Sequence, residues 1–289
     1  MSQATKVRAM EEEVPHEAGQ QAGEEGGEAS IGKDVTYFGY YAQLANQQNM
    51  LADTVRTGSY QWAITRNPRD FARKVVLDVG AGSGILSFFA AQAGAAKVYA
   101  VEASNVAECA ALLAASNGFG DCVKVLKGRL EDIVLPEKVD TIISEPMGVL
   151  LVHERMIESF VQARIMFLKE GGTMYPATSK IFLAPFTDSN LYTETMSKVR
   201  FWHQSDFYGL NLSALSAHAM TQHFAQPVVG CFDPRSLLAS PVEKAVNFLT
   251  VTLEQLREFD IDMSFEAKYT GLIHGISRSF ACLLQRDEW

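Results

Sequence analysis

Two carboxylates lie on either side of a short apolar turn in the middle of the chain. Glu145 follows the apolar, β-prone run 139–143, and Glu154 precedes a helical pattern that begins at Met156. The apolar run predicts a buried parallel strand with Glu145 at its carboxyl end, where open α/β sheets bind ligands. Both acids are therefore candidate ligand-binding residues. They could instead form a solvated loop in which Glu154 favours the positive end of the following helix.

A glycine-rich loop lies upstream of this turn. Gly80, Gly82 and Gly84 give a G-x-G-x-G spacing, which allows a tight turn and a close approach of the backbone to a ligand at a helix N-terminus. Asp78 lies inside the end of the strand before the loop, two residues ahead of Gly80, and Glu102 ends the next strand, where an acid can accept both hydroxyls of a ribose. These residues indicate a nucleoside cofactor, either a nicotinamide dinucleotide or S-adenosylmethionine. The spacing differs from the G-x-G-x-x-G of dinucleotide binders and favours S-adenosylmethionine.

Two further observations concern possible ligands. Glu131 follows the third predicted strand at the same edge, where it could hydrogen-bond an adenine amino group or could simply be a surface acid. The four cysteines are widely spaced, with no C-x-x-C pair and no nearby histidine pattern, so we expect neither a metal site nor disulfides.

The composition excludes several classes of protein. The chain has 289 residues, of which 47% are hydrophobic, enough for one large domain or two ordinary ones. No run approaches the roughly 18 apolar residues of a membrane helix, and the N-terminus lacks an apolar signal core, so we expect an unsecreted protein that does not bind membranes. The net charge of −9 makes nucleic acid a poor partner and a basic peptide a plausible one.

Four segments differ in sequence pattern. Residues 1–30 are rich in Glu, Gly, Ala and Gln and predict a disordered acidic tail. Residues 31–74 are aromatic and predict helices that are interrupted at 56–58. Residues 75–176 alternate between strand and helix patterns, which predicts a parallel sheet with helices on both faces. Residues 177–289 predict a second, mainly β domain.

The strands of both domains are predicted from apolar runs between turn signals. In the alternating region they lie at 75–79, 97–102, 123–126 and 139–143. In the second domain they lie at 180–185, 246–253, 259–265 and 276–284, with a mixed insertion at about 187–226.

Four motifs occur together in this order. They are Tyr37-Phe38-Gly39-Tyr40-Tyr41, Val76 to Ser87 around the glycine loop, Val101-Glu102-Ala103-Ser104, and Ser144-Glu145-Pro146-Met147-Gly148 with Glu154-Arg155-Met156. The combination resembles the protein arginine methyltransferases, and in particular their coactivator-associated, type I branch, from about Asp34 to Leu284. The resemblance implies a Rossmann-like S-adenosylmethionine-dependent methyltransferase domain, followed by a truncated β-barrel domain with a helical dimerisation arm.

The resemblance also implies roles for individual residues. Cofactor contacts fall on Gln47, Arg56, Asp78, Gly80, Gly82, Glu102, Glu131 and Ser159. The substrate channel falls on Tyr37, Phe38, Tyr41, Met50 and Met147. Arg56 would pair with the methionine carboxylate of the cofactor, which suits a planar fork of donors. Met50 would limit the space beside the acceptor nitrogen and favour asymmetric dimethylarginine.

The paired acids make chemical sense in this family. A guanidinium is positively charged and its nitrogens are poor nucleophiles. Glu145 and Glu154 would grip it and draw the positive charge toward the nitrogens that they contact, so that the remaining nitrogen keeps more electron density. Most of the catalytic effect would then come from positioning and electrostatics.

The sequence departs from the family pattern in several places. The family's late Thr-His-Trp loop, whose histidine helps to complete the active site, has no counterpart before Trp289, and a truncated barrel would leave strand edges unpaired. Val149 replaces an aromatic residue and would open the substrate channel. His153 replaces an asparagine, and Asn211 replaces an acid in the arm.

Two functions follow from this pattern. The first is a protein arginine N-methyltransferase acting on histones and other basic proteins, in the nucleus and cytoplasm, as a homodimer formed through the arm. The alternative is a truncated relative that is inactive or weakly active, binds the cofactor and serves as a regulatory dimer partner. A nicotinamide dehydrogenase is a third reading, which the loop spacing disfavours.

Overall fold

The computed structural model describes residues 37–225 and 227–284. The predicted acidic tail lies outside the described residues. The N-terminal part forms a helix at 37–41 and three further helices: α1 (Leu44–Ala52), α2 (Thr54–Thr65) and α3 (Pro68–Phe71).

The alternating region forms a five-stranded, all-parallel sheet in the order β3-β2-β1-β4-β5. Its elements are β1 (Val75–Val79), α4 (Ile85–Gln92), β2 (Lys97–Glu102), α5 (Val106–Ser116), β3 (Val123–Lys127), β4 (Val139–Ile143), α6 (Met156–Phe167) and β5 (Leu168–Tyr175). The four strands predicted here are confirmed. β1, β2 and β4 are buried apolar runs, whereas β3 is an edge strand that exposes Lys124 and Lys127. The strand order reverses beside β1, which brings the ends of β1, β2 and β4 to one ligand-binding edge.

The two faces of the sheet bury different partners. On one face, Val76 and Ile143 pack with Ile64 of α2 and with Phe71. On the other face, Leu77 and Ile142 join a cluster that contains residues of α6 and of the second sheet, namely Ile157, Phe160, Val161, Ile181 and Val246. The second sheet thus shares a core with the first, and α6 lies in that shared core.

The predicted interruption of the helices at 56–58 is wrong. The break falls at Asp53, whose carboxylate accepts hydrogen bonds from the backbone amides of Val55 and Arg56 and so caps α2. Gly58 lies inside α2. An interior glycine costs roughly 1 kcal/mol relative to alanine, and the burial of Tyr60 and Ile64 on the same helix offsets that cost.

The second sheet is antiparallel and has the order β7-β6-β8 among the described residues. Its strands are β6 (Thr178–Phe186), β7 (Val242–Asn247) and β8 (Gly275–Leu283), which confirms the predictions at 180–185 and 276–284. The prediction at 246–253 is wrong beyond Asn247, because a capping box between Thr252 and Gln255 starts helix α9 (Leu253–Arg257). The prediction at 259–265 is also wrong: within residues 37–225 and 227–284 this segment pairs with no strand, and its alternation places Phe259 and Ile261 against the core.

The predicted insertion contains α7 (Ser189–Arg200) and α8 (Ser216–Ala225), with short 3-10 turns between them. Tyr192 of α7 contacts Phe224 of α8, with ring centroids 5.8 Å apart. Several large apolar side chains of the insertion are exposed, namely Tyr208, Leu210, Leu215, Met220 and Phe224. Across residues 37–225 and 227–284, no helix is long and apolar enough to cross a membrane.

Candidate active site

The loop that carries the two glutamates is anchored directly after β4. The Ser144 hydroxyl donates to the carbonyl oxygen of Val79 at 2.7 Å, and the Tyr60 hydroxyl donates to the carbonyl oxygen of Ser144 at 2.8 Å. These bonds fix the backbone just before Glu145 to the end of β1 and to α2. Tyr60 therefore supports the site, although its sequence signal, an aromatic residue on a helix, is shared with ordinary core residues.

The loop then turns back on itself so that Glu154 returns to the sheet edge. Gly148 and Leu151 pair as an isolated β-bridge, and Leu150, Leu151 and Arg155 have positive φ angles of 55°, 70° and 60°. A Cβ atom on Gly148 would lie 2.9 Å from both the backbone nitrogen and the Cγ of Glu154. Glycine is thus required at this position for the close return of Glu154.

The Glu154 carboxylate is held by two tyrosines from the N-terminal helix. Its Oε2 accepts hydrogen bonds from the hydroxyls of Tyr41 at 2.9 Å and Tyr37 at 3.2 Å. Burial, followed by the charge of Glu154, raises the pKa of both phenols, so both remain protonated donors. The predicted channel residues Tyr37 and Tyr41 thereby lie at the candidate catalytic acid. Phe38 packs edge-on against Tyr37, with centroids 5.4 Å apart.

Glu145 forms an ion pair with Arg56 of α2. Burial raises the pKa of the Glu145 carboxyl, Arg56 opposes that shift, and the negative charge of Glu154 raises the pKa further. Gly148, three positions after Glu145, lies directly against the backbone and side chain of Glu154, so the turn of the loop returns Glu154 to the neighbourhood of Glu145. The sequence-based role of Arg56, pairing with a cofactor carboxylate, stays a prediction beside this observed partner.

The glycine loop is tied to two predicted cofactor residues. Glu102 accepts from the backbone amide of Gly82 at 2.8 Å and from that of Ser104 at 2.7 Å. Gln47 accepts from the amide of Ser83 at 2.9 Å and donates to the carbonyl oxygen of Tyr41 at 2.9 Å. Gly82 has a φ of 54°, and a Cβ atom there would lie 2.9 Å from Gln47 Oε1, so the backbone conformation and the packing both favour glycine.

Asp78 lies in the interior behind the loop. Its side chain is fully buried, and Oδ2 accepts a hydrogen bond from the Ser87 hydroxyl of α4 at 2.7 Å. Oδ1 has no protein partner among the described residues. Burial raises the pKa of this carboxyl to about 7. The side chain is therefore arranged to link β1 to α4, and its predicted contact with a cofactor stays a prediction.

The remaining predicted residues make local contacts of their own. Ser159 donates to Glu131 Oε1 at 3.1 Å, which joins α6 to the 3-10 turn after β3. Gly80 faces Met156, whose Cε would lie 2.3 Å from an added Cβ. The Met147 sulfur lies 3.8 Å from the Tyr60 hydroxyl. Met50 is half-buried on α1, and its carbonyl oxygen accepts from Thr57 at 3.3 Å.

The described part of the chain contains no group of three or more His, Cys, Asp or Glu side chains that could hold a metal ion. Instead, Glu145 and Glu154 offer two carboxylates for a cation, and the nearby glycine loop is bonded through the Gly82 amide to Glu102. These features fit a nucleoside cofactor beside a cationic substrate.

Comparison with known proteins gives matches over both sheets. Residues 65–181 match the family model of ribosomal protein L11 methyltransferase (PrmA), and residues 177–288 match that of the arginine methyltransferase oligomerization subdomain. A probable histone-arginine methyltransferase CARM1 from Oryza sativa subsp. indica is 51% identical over 257 residues, which are 89% of this chain and 48% of that protein. Histone-arginine methyltransferase CARMER from Anopheles gambiae is 51% identical over 241 residues, covering 83% of this chain and 39% of that protein. This chain therefore spans half or less of the length of these curated relatives.

Solved structures give the same result. The Trypanosoma brucei PRMT1 enzyme-prozyme heterotetrameric complex with AdoHcy is 33% identical, with a TM-score of 0.74, and the match covers 83% of this chain and 73% of that one. Arabidopsis thaliana protein arginine methyltransferase 10 is 36% identical, with a TM-score of 0.69, covering 76% of this chain and 67% of that one. Sequence motifs, sheet topology and these matches agree that the chain belongs to the protein arginine methyltransferase family.

Proposed function

We propose that this chain is an S-adenosylmethionine-dependent protein arginine N-methyltransferase that acts on histones and other basic proteins. The observation that carries the proposal is the convergence of Glu145 and Glu154 at one sheet edge, each held by its own partners. The names of the relatives, which describe histone-arginine methyltransferases, support the substrate class.

The glutamate pair accounts for the activation of the substrate. Both carboxylates would accept hydrogen bonds from the guanidinium, and such charge-assisted bonds are strong and directional. Because they attract positive charge toward the two nitrogens that they contact, the third nitrogen becomes the better nucleophile. Tyr37 and Tyr41 would hold Glu154 in the orientation that this grip needs. The arrangement lowers the barrier by positioning and electrostatics, without a covalent enzyme intermediate.

The cofactor would be held by the residues around the glycine loop. Glu102 binds the amide of Gly82 and Gln47 binds that of the next residue, Ser83, and Glu102 would retain acceptor capacity for ribose hydroxyls. Glu131 and Ser159 would lie toward the adenine, and Arg56 toward the methionine carboxylate. When bound, S-adenosylmethionine supplies an electrophilic methyl group. Asp78 and Gly80 would shape the loop, and Phe38, Met50 and Met147 would wall the channel.

Three finer features belong to the same proposal. Met50 would restrict the space beside the acceptor nitrogen and favour the asymmetric dimethyl product. The exposed apolar side chains of the insertion would dock onto a second copy and form a dimer, as the match of residues 177–288 to an oligomerization subdomain supports. We expect action on histones in the nucleus, a role in transcription regulation, and a second pool in the cytoplasm.

Methyl transfer from labelled S-adenosylmethionine to a histone mixture tests the proposal. We expect the 289-residue chain to transfer label, and both Glu154→Gln and Glu145→Gln to lose transfer by more than about a hundredfold. Glu243→Gln, which removes an exposed glutamate that pairs with Lys180 in the second sheet, is the matched control.

Calorimetry with the cofactor separates the enzyme from a regulatory partner. Cofactor binding without any methyl transfer by the parent chain would reject the enzyme and favour the regulatory subunit. Transfer that survives in Glu154→Gln would reject the assigned chemistry.

A further inference from the structure

A cluster of one acid and two arginines connects the second sheet region to the loop of Glu154. Arg155 donates from Nε to Glu158 Oε1 at 2.6 Å and from Nη2 to Glu158 Oε2 at 2.9 Å. Arg257 of α9 donates from Nε to the same Oε2 at 3.4 Å. The Glu158 side chain is only 19% exposed, whereas the arginines on either side of it are largely exposed.

Arg155 occupies a strained place in the loop. It directly follows Glu154 and caps α6 with φ 60° and ψ 7°, a left-handed conformation that residues with a Cβ adopt at a cost. A two-pronged arginine–carboxylate contact restricts orientation as well as distance. The contact with Glu158, one turn into α6, therefore fixes the backbone that aims Glu154.

The segment 248–257 holds α6 on a second side. Phe248 packs edge-on against Phe160, with centroids 5.7 Å apart. Arg164 donates to the carbonyl oxygen of Phe248 and, at 2.8 Å, to that of Val251. With Arg257 on Glu158, this segment contacts α6 near both of its ends, so a shift of α9 would move the helix whose N-terminus carries Glu154.

We propose that Arg155, Glu158 and Arg257 are positioning residues that set the orientation of Glu154 and make it depend on α9. This inference rests on the proposed function. None of the three needs to touch the substrate, because their effect passes through the backbone of the loop. The arginines hold the pKa of Glu158 below its usual value. The cluster of Arg155, Glu158 and Arg257, called the clamp below, is therefore charged at neutral pH.

The test compares Glu158→Gln, Arg257→Gln and Arg155→Gly in the full chain. Arg155→Gly removes the contact with Glu158 and also relieves the strain of the left-handed backbone conformation. A loss of activity in this variant would therefore come from the lost contact and not from added backbone strain. Arg235→Gln is the matched control, because Arg235 makes a similar two-pronged contact with Asp233 far along the chain from the site. Two quantities are measured: the kcat of methyl transfer with the KM for the cofactor, and the hydrogen exchange of amides 148–155.

We expect Glu158→Gln and Arg155→Gly to lower kcat about tenfold, and Arg257→Gln about threefold, with the KM for the cofactor unchanged. Exchange should accelerate in 148–155 and stay at parental rates in β1 and β2. The proposal is overturned if amide exchange in 148–155 equals that of the Arg235→Gln control. It is also overturned by faster exchange throughout the sheet, or by a parental kcat in Arg155→Gly. If the parent transfers no methyl group, the proposed function fails by itself, and the exchange comparison alone decides for or against the clamp.

Discussion

The Tyr41 hydroxyl donates to Glu154 Oε2 at 2.9 Å, across 113 positions of the sequence. This bond ties the N-terminal aromatic motif to the double-glutamate loop. A hydrogen bond to a charged group contributes about 1.5–3 kcal/mol when partly buried, and here it also selects the orientation of a carboxylate that would bind the substrate.

We therefore expect Tyr41→Phe to lower kcat for methyl transfer about tenfold, since about 1.4 kcal/mol of lost transition-state stabilisation corresponds to that factor. Cofactor affinity should be unchanged, which calorimetry checks. Tyr269→Phe, at a position of the second domain that is 45% exposed, is the control. A Tyr41→Phe protein with parental kcat would show that Tyr37 alone holds Glu154.

The Arg56–Glu145 pair predicts a change in the pH dependence of the reaction. Glu145 must be ionised to bind a guanidinium, so activity is lost as the pH falls through the pKa of this carboxyl. Burial raises that pKa and Arg56 opposes the shift. Arg56→Gln removes the opposing charge, so the acidic limb of the kcat/KM profile should move to higher pH.

This measurement needs saturating cofactor, because Arg56 is also a proposed cofactor contact. Arg69→Gln, an exposed arginine on α3, serves as the control. An acidic limb that stays at its parental pH in Arg56→Gln would mean that the group titrating in the profile is not Glu145.

The parallel sheet can be predicted from the sequence, but the side chains that contact its loops cannot. Strands β1, β2 and β4 are predictable because buried parallel strands are continuous apolar runs, and a glycine at a loop limits where a helix can start. The contacts of Tyr37 and Tyr41 with Glu154 are not predictable from pattern, since no local propensity reports which distant side chains meet. The family motifs indicated that these residues share a site, and the geometry supplies the bonds.

The errors of the sequence reading have local causes. At 56–58 the glycine predicts a break in the helix, whereas the side chain of Asp53 decides where α2 begins. At 259–265 the alternation of Phe259 and Ile261 with acids matches a strand, although the same period suits an extended segment that packs one face on the core. The supporting roles of Ser87 and Tyr60 could not be predicted, because no sequence pattern marks a hydroxyl that donates to a buried acid or to a carbonyl oxygen.

We expect the replacement of Glu102 by its amide, glutamine, to weaken the binding of the cofactor. Its two oxygens accept from the amides of Gly82 and Ser104. In Glu102→Gln the side-chain NH2 group would face one of these N–H donors, which leaves that buried amide without an acceptor. The loop should loosen, and the Kd for S-adenosylmethionine should rise about tenfold or more, since an unsatisfied buried group costs about 1–3 kcal/mol.

Calorimetry of Glu102→Gln beside Glu137→Gln checks this expectation, because Glu137 is an exposed glutamate that pairs with Lys97 outside the loop. Parental cofactor affinity in Glu102→Gln would remove Glu102 from the proposed binding site.

Asp78 predicts how stability depends on pH. Burial raises the pKa of its carboxyl from 3.8 to about 7, so the folded protein holds a proton that the unfolded chain releases between these values. By linkage, the contribution of this group to the free energy of unfolding is fully present below the unfolded pKa and is lost as the pH rises through the folded pKa. The slope over that window is at most about 1.4 kcal/mol per pH unit.

Asp78→Asn copies the protonated form, because its amide oxygen can still accept from Ser87. We expect the free energy of unfolding of Asp78→Asn, measured relative to the parent in urea, to increase as the pH rises from 4 to 7 and to level off above pH 8. Other carboxylates titrate equally in both proteins and cancel in the difference. Asp121→Asn, an exposed acid, should give a flat difference over the same range. A flat difference for Asp78→Asn would mean that Asp78 ionises normally in the folded chain, and the Ser87 bond would then hold a carboxylate rather than an acid.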